Sequence, residues 1–113
     1  MIVGIGTDIV ENRRFSALSD GMLRKLFTEY EMNEGAERAK SAEYYASRFA
    51  AKEAVSKALG TGFRGLSAAD IEIHEDGNGR PYPIVKGHED KLFHLSISHE
   101  AEYSVAMVVV ENA

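Results

Sequence analysis

The sequence predicts an α+β fold in which an antiparallel sheet packs against one long central helix. Three observations predict it. From about Ala36 to Leu59 the chain runs without proline or glycine and carries strong helix formers throughout. The segments after Gly62 are short, alternate apolar with polar residues and are separated by turn residues, as antiparallel strands are. Helices precede most of these strands, which suits a sheet covered on one side by a helix.

Taken in order, Met1 to Ile5 is a short apolar run that reads as a first strand, with Gly4 and Gly6 bending it or bringing it close to a neighbour. From Glu11 the pattern becomes helical: Phe15, Leu18, Met22 and Leu26 recur at three- and four-residue spacing and define one buried stripe. Thr28 stands three residues before Glu31, the signature of a capping box and a new helix start. Gly35 interrupts that helix, and the long helix follows. "IEIHEDGNGRPYPIV" reads as strand, turn and strand, with Gly77-Asn78-Gly79 supplying positive φ angles. Pro81 and Pro83 make its return segment an edge or irregular strand. "LFHLSISHEAEYSVAMVVVE" reads as a last hairpin, and Val105 to Val110 is β-branched enough for a central strand.

The 113 residues are expected to form one domain, 1–113, without repeat or linker. At 44 % apolar residues the chain is globular, not a disordered tail. It has no cysteine, which excludes disulfides, thiolate zinc sites and a cysteine nucleophile and fits a reducing, cytoplasmic compartment. The start, MIVGIGTDIV, lacks a basic leader and reads as a strand instead of a signal peptide. No apolar run approaches the roughly 20 residues that cross a bilayer, so no membrane partner is expected. A net charge of −5 argues against a general nucleic-acid binder. Yet residues 12 to 25 hold Arg13, Arg14, Arg24 and Lys25 against the single acid Asp20. This basic patch is either a solvated helix face or a docking surface for an acidic macromolecule.

The chemistry centres on "RFAAKEAVSKALGTG", residues 48 to 62. Ala50, Ala54 and Ala58 share one face, where another element can approach closely. Glu53 and Lys57, one turn apart, form either a surface ion pair or two members of a site. Gly60 reads as a left-handed C-cap. A phosphate there would meet the negative end of the helix dipole and need compensating cations, which Lys52, Lys57 and a metal on Glu53 could supply. Asp8, placed after the first strand, is either a turn or capping residue or a carboxylate paired with a partner or a metal. If Asp8 and Glu53 converge, they and water suit magnesium. His99, at the end of "SISHE", stands where a strand meets a turn and can face a ligand; His74, His88 and His94 show no metal-ligand spacing.

Taken together, "GIGTDIVE" at 4–11, "RFAAKEAVSKALGTG" at 48–62, "GNGRPYP" at 77–83 and "SISHE" at 96–100 resemble the small, holo-acyl-carrier-protein-synthase type of the 4′-phosphopantetheinyl transferase superfamily. The resemblance runs almost end to end and implies the single-copy, unduplicated form of that fold. It further implies transfer of the phosphopantetheine arm of coenzyme A to a serine hydroxyl of apo-acyl carrier protein, releasing adenosine 3′,5′-bisphosphate. By the same resemblance Asp8 and Glu53 bind Mg2+ and, with Lys57, form the catalytic set. The resemblance also implies that Lys57 contacts phosphate and that Arg48, Pro81 and His99 lie near the nucleotide end of coenzyme A, and Gly60 and Gly62 would let backbone approach the phosphates. Arg14 matches the family's basic position that docks the acidic carrier protein, with Arg13, Arg24 and Lys25 expected to support it and Phe49 to supply an apolar contact. A homotrimer with sites at subunit interfaces is implied as well. Two other classes compete with this expectation: a non-catalytic coenzyme A or carrier-protein binding module, and a Mg-dependent hydrolase of coenzyme A.

Overall fold

Two glycines set how closely the first strand lies on the long helix. A Cβ at Gly4 would stand 1.8 Å from the carbonyl oxygen of Ala58, and one at Gly6 2.0 Å from that of Ala54. Backbone rests on backbone here, which only glycine on the strand permits. The computed structural model describes residues 1–60, 62 and 65–113. Thr61, inside the expected glycine loop, lies outside the described residues.

In chain order the elements are β1 (Ile2–Glu11), a 3-10 turn (Asn12–Phe15), α1 (Asp20–Leu26), α2 (Glu29–Ala36) and α3 (Ser41–Ala58). A second 3-10 turn (Ala68–Asp70) then leads to β2 (Ile71–Glu75), β3 (Pro81–Val85), β4 (Lys91–His99) and β5 (Tyr103–Asn112). The strands form two antiparallel sheets, one in the order β1-β5-β4 and one of β2 with β3. α3 packs on β1 and β5. Ala50, Ala54 and Val55 of the helix are buried there against Val10, Ala106, Val108 and Val110 of the strands. The α+β layout and the central place of the β-branched last strand are as the sequence predicts.

Several local expectations need correction. β1 does not stop near Ile5: it pairs with β5 from Ile2 to Glu11, so Asp8 sits within the strand, opposite Ala106. The stripe Phe15-Leu18-Met22-Leu26 is not one helix. Asn12–Phe15 is a 3-10 turn, and α1 begins afresh behind Ser19, whose hydroxyl accepts from Met22 N. The new start rotates the buried face, so Leu23 and Phe27 are buried and Met22 is exposed. Gly35 lies inside α2 with Tyr45 packed on it, and α3 starts at Ser41 instead of Ala36. In the β2–β3 turn only Gly79 has positive φ.

One polar contact ties the second half of the molecule to α3. The Thr28–Glu31 capping box is present, but the Glu31 carboxylate does more than cap. Lys52 Nζ donates to Glu31 Oε1 at 2.6 Å, to the Ala68 carbonyl at 2.8 Å and to the Ile71 carbonyl at 2.6 Å. Glu31 Oε2 accepts from Ile73 N at 2.8 Å. Both side chains are fully buried. Burial lowers the Lys52 pKa, and the Glu31 charge opposes that fall. A buried pair with every donor filled holds α2, α3 and β2 in one arrangement. No helix among the described residues is long and apolar enough to cross a membrane.

Candidate functional site

Strand periodicity aims Asp8. Gly4, Gly6 and Val10 face α3, and Asp8 shares their side of the pleat. The helix answers with Lys57, whose Nζ donates to Asp8 Oδ1 at 3.1 Å and to the Thr7 carbonyl at 3.0 Å. Lys57 thus pairs across to the strand. Glu53, one turn before it, faces the same way. Burial first, and the Asp8 charge second, hold the Glu53 carboxyl above its ordinary pKa, while Lys57 and Arg14 act in the opposite direction. Asp8, bonded to Lys57, and Glu53, one turn before Lys57 on the same face of α3, are thus brought to one side of the helix from positions 45 apart in the chain.

Such a pair suits a hard divalent cation. Two carboxylates are held within electrostatic reach, and their repulsion is partly unrelieved, which a cation would reverse. Among the described residues no group of three or more His, Asp or Glu gathers. A cation on this pair would complete its shell with water and ligand oxygens, as magnesium does. The C-terminus of α3 adjoins the cluster. Gly60, at φ 78°, donates its N–H to the Lys57 carbonyl at 3.0 Å, which is the expected left-handed cap, and Gly62 also has positive φ. Lys52 does not join them: it is spent on Glu31, which corrects its expected place among the cations near the glycines.

A second cluster forms on the other side of the helix. Arg48 and Lys57 are nine residues apart, a rotation of roughly 180° about an α-helix. Arg48 turns to β2, where its Nη2 donates to Glu75 Oε1 at 2.9 Å. A cavity of about 130 Å³ brings Arg48, Glu75, Gly79, Pro81 and His99 together. A neighbouring one of about 200 Å³ adds Arg38, Lys40, Glu43 and Tyr44. Arg48, Pro81 and His99, expected as a group, are thus brought together, but the chain folded alone does not join them to Asp8 and Glu53. Arg38, Glu43, Tyr44 and Glu75 were not expected. Burial of Tyr44 pushes its hydroxyl up to about 12, with Arg48 opposing, so the ring stays neutral between two guanidiniums.

The basic patch is split by the break before α1. Arg14 lies on the 3-10 turn, close enough to act on Glu53, while Arg13 pairs with Glu11 at 3.1 Å. Arg24 and Lys25 end α1, where cations suit the helix dipole. Phe49 is partly buried, its ring 5.5 Å from that of Phe15. It stands one turn before Glu53, so Phe49, Glu53 and Lys57 form one ridge of α3 beside Arg14.

Residues 4–108 match the 4′-phosphopantetheinyl transferase superfamily. A holo-(acyl-carrier-protein) synthase of Halothermothrix orenii is 45 % identical, over 98 % of each chain. The crystal structure of a holo-(acyl-carrier-protein) synthase from Bacillus anthracis, in complex with CoA (3′,5′-ADP), superposes with a TM-score of 0.90 at 43 % identity, covering 100 % of this chain and 99 % of that one. The Neisseria meningitidis holo-(acyl-carrier-protein) synthase superposes with the same TM-score at 35 % identity, covering 99 % and 100 %. With the fold, the coverage and the motifs in agreement, this chain belongs to the 4′-phosphopantetheinyl transferase superfamily, among its enzymes of the holo-acyl-carrier-protein synthase type.

Proposed function

We propose that the protein transfers the 4′-phosphopantetheine arm of coenzyme A to a serine of apo-acyl carrier protein, with Mg2+ held by Asp8 and Glu53. The observation that carries this is the Lys57–Asp8 contact between α3 and β1, with Glu53 one turn before Lys57 on the same helix face. In the reaction the serine oxygen forms a bond to the phosphorus that bears the pantetheine arm. The bond from that phosphorus to the bridging diphosphate oxygen breaks, and adenosine 3′,5′-bisphosphate leaves with the electron pair. A bound magnesium ion would neutralise diphosphate charge. Lys57, exposed and able to leave Asp8, adds positive charge where the leaving oxygen develops its own. The serine proton needs an acceptor, and the carboxylates Asp8 and Glu53 are the bases the chain holds there. Gly60 and Gly62 let backbone approach the phosphates, and Arg48, Pro81 and His99 receive the nucleotide end.

Docking of the carrier protein falls to Arg14, with Arg13, Arg24, Lys25 and Phe49. Arg14 lies on the 3-10 turn that packs against α3, on the side where its charge acts on Glu53, so a carrier seated on it brings its serine toward the carboxylate pair. We further propose one domain spanning residues 1–113, working in the cytoplasm as a homotrimer with sites shared between subunits. Two features support sharing. The nucleotide-end cluster and the carboxylate cluster lie on opposite sides of α3. On the face of the β1-β5-β4 sheet away from α3, Ile5, Ile9, Val105 and Met107 are exposed together, an apolar surface of the kind that partner subunits cover.

Intact-mass spectrometry of apo-acyl carrier protein, incubated with this protein, coenzyme A and magnesium, tests the proposal. A gain of one phosphopantetheine arm, lost on chelation and with Glu53→Ala, is expected. Coenzyme A consumed without any gain on the carrier would instead make the protein a hydrolase.

A further inference from the structure

The nucleotide-end cluster already contains anions of its own. Arg48 is only 8 % exposed, and its guanidinium lies 4.4 Å over the Tyr44 ring. Its Nη1 donates to Ser47 Oγ at 3.0 Å and its Nη2 to Glu75 Oε1 at 2.9 Å, while the buried Nε has no hydrogen-bond partner among the described residues. Arg38, whose guanidinium stands 4.8 Å from the same Tyr44 ring, reaches the same Glu75 oxygen at 3.5 Å. His99 is paired in the same manner with Glu43. Arg38, Arg48 and His99 of the two adjoining cavities thus meet carboxylates of the chain before any ligand arrives.

We propose that Glu75 is an exchange anion, which occupies the Arg38–Arg48 pair until a phosphate of the nucleotide end displaces it and which returns as that phosphate leaves. The inference rests on the reading of Arg48, Pro81 and His99 as the nucleotide-end cluster. A phosphate offers more charge and more acceptor oxygens than the single carboxylate oxygen the two arginines now share, so it wins the exchange. The idle Nε marks a guanidinium whose donors its present partners do not fill. Glu75 ends β2 with its side chain 39 % exposed, and releasing it to water costs little. Binding energy is then the difference between two ion pairs, not the whole of one. A nucleotide held by that difference dissociates faster, which matters because adenosine 3′,5′-bisphosphate carries the same group out of the site as coenzyme A brings in.

Calorimetric titration of adenosine 3′,5′-bisphosphate into the full chain, as wild type, Glu75→Gln and Arg48→Gln, tests this. Glu75→Gln is expected to tighten binding about three- to tenfold, and Arg48→Gln to weaken it about tenfold or more. In turnover Glu75→Gln then lowers KM for coenzyme A and increases product inhibition by a similar factor. Melting curves establish that each variant is folded, and Glu75→Ser serves if the glutamine variant is not. Weakening by Arg48→Gln without tightening by either Glu75 variant overturns the exchange and leaves the cluster standing. Wild-type affinity in folded Arg48→Gln overturns the reading of the cluster, and the exchange with it.

Discussion

Lys52 and Lys57 stand on one helix, five positions apart, and use the same ammonium group in opposite ways. Lys52 is fully buried, with all three protons donated to Glu31 and two carbonyls. Lys57 is half exposed and shared between Asp8 and the Thr7 carbonyl. A buried ion with every donor filled has no freedom to meet a ligand, and removing its partner strands a charge away from water. An exposed pair contributes little to stability, so its lysine can leave for a better anion. The difference teaches which charges belong to the architecture and which are available for chemistry: those that solvent reaches and that a stronger anion can recruit.

The sharpest test of this contrast is Glu31→Ala, which leaves Lys52 buried without its counter-charge. Chemical denaturation is expected to show a loss of about 3–5 kcal/mol, with kcat/KM per folded molecule nearly unchanged. A loss under 1 kcal/mol would break the comparison. Lys57→Met should do the reverse. Its rate of transfer is expected to fall about a hundredfold, while stability changes by less than about 1 kcal/mol. A stability loss equal to that of Glu31→Ala would make Lys57 architectural after all. The smallest effect concerns pH. Because the Glu53 carboxyl holds its proton above the ordinary range, transfer should decline as pH falls through that raised pKa. A cation binds only the deprotonated form, so raising magnesium moves the acid limb to lower pH. Rate profiles at two magnesium concentrations check the sign, and a limb that stays in place would separate Glu53 from the metal.

Much of this was legible in the sequence, for reasons that are local. The alanines at 50, 54 and 58 and the glycines at 4 and 6 announce close packing because small residues have few other uses at such spacing. The Thr28–Glu31 box reads directly as a helix start. What stayed hidden depends on which way a side chain faces. Glu31 reads as a cap, and nothing nearby reveals that its second oxygen serves Ile73 in a strand 42 positions on. Lys52 reads as one more cation beside Glu53. Its placement with Arg48 and Ser56 at four-residue intervals is the available clue, since all three are buried on one side of α3. Arg14 was placed with the docking residues by resemblance, but the 3-10 turn that carries it against α3 was concealed by the helical spacing of its neighbours.

The contact of Gly4 and Gly6 with Ala58 and Ala54 contains no side-chain torsions. Ordinary interfaces adapt by hopping between rotamers, and their spacing drifts as core residues are exchanged. Here the gap between strand and helix is a stop set by main-chain atoms in van der Waals contact. Asp8 and Glu53 project from the two sides of that stop, so main-chain contact sets the spacing of the backbones that carry them, and their own torsions place the carboxylates. Mutation can soften the surrounding core and lower the melting point while that backbone spacing keeps its width. The spacing of the two backbones that carry these carboxylates is thereby insulated from changes in overall stability.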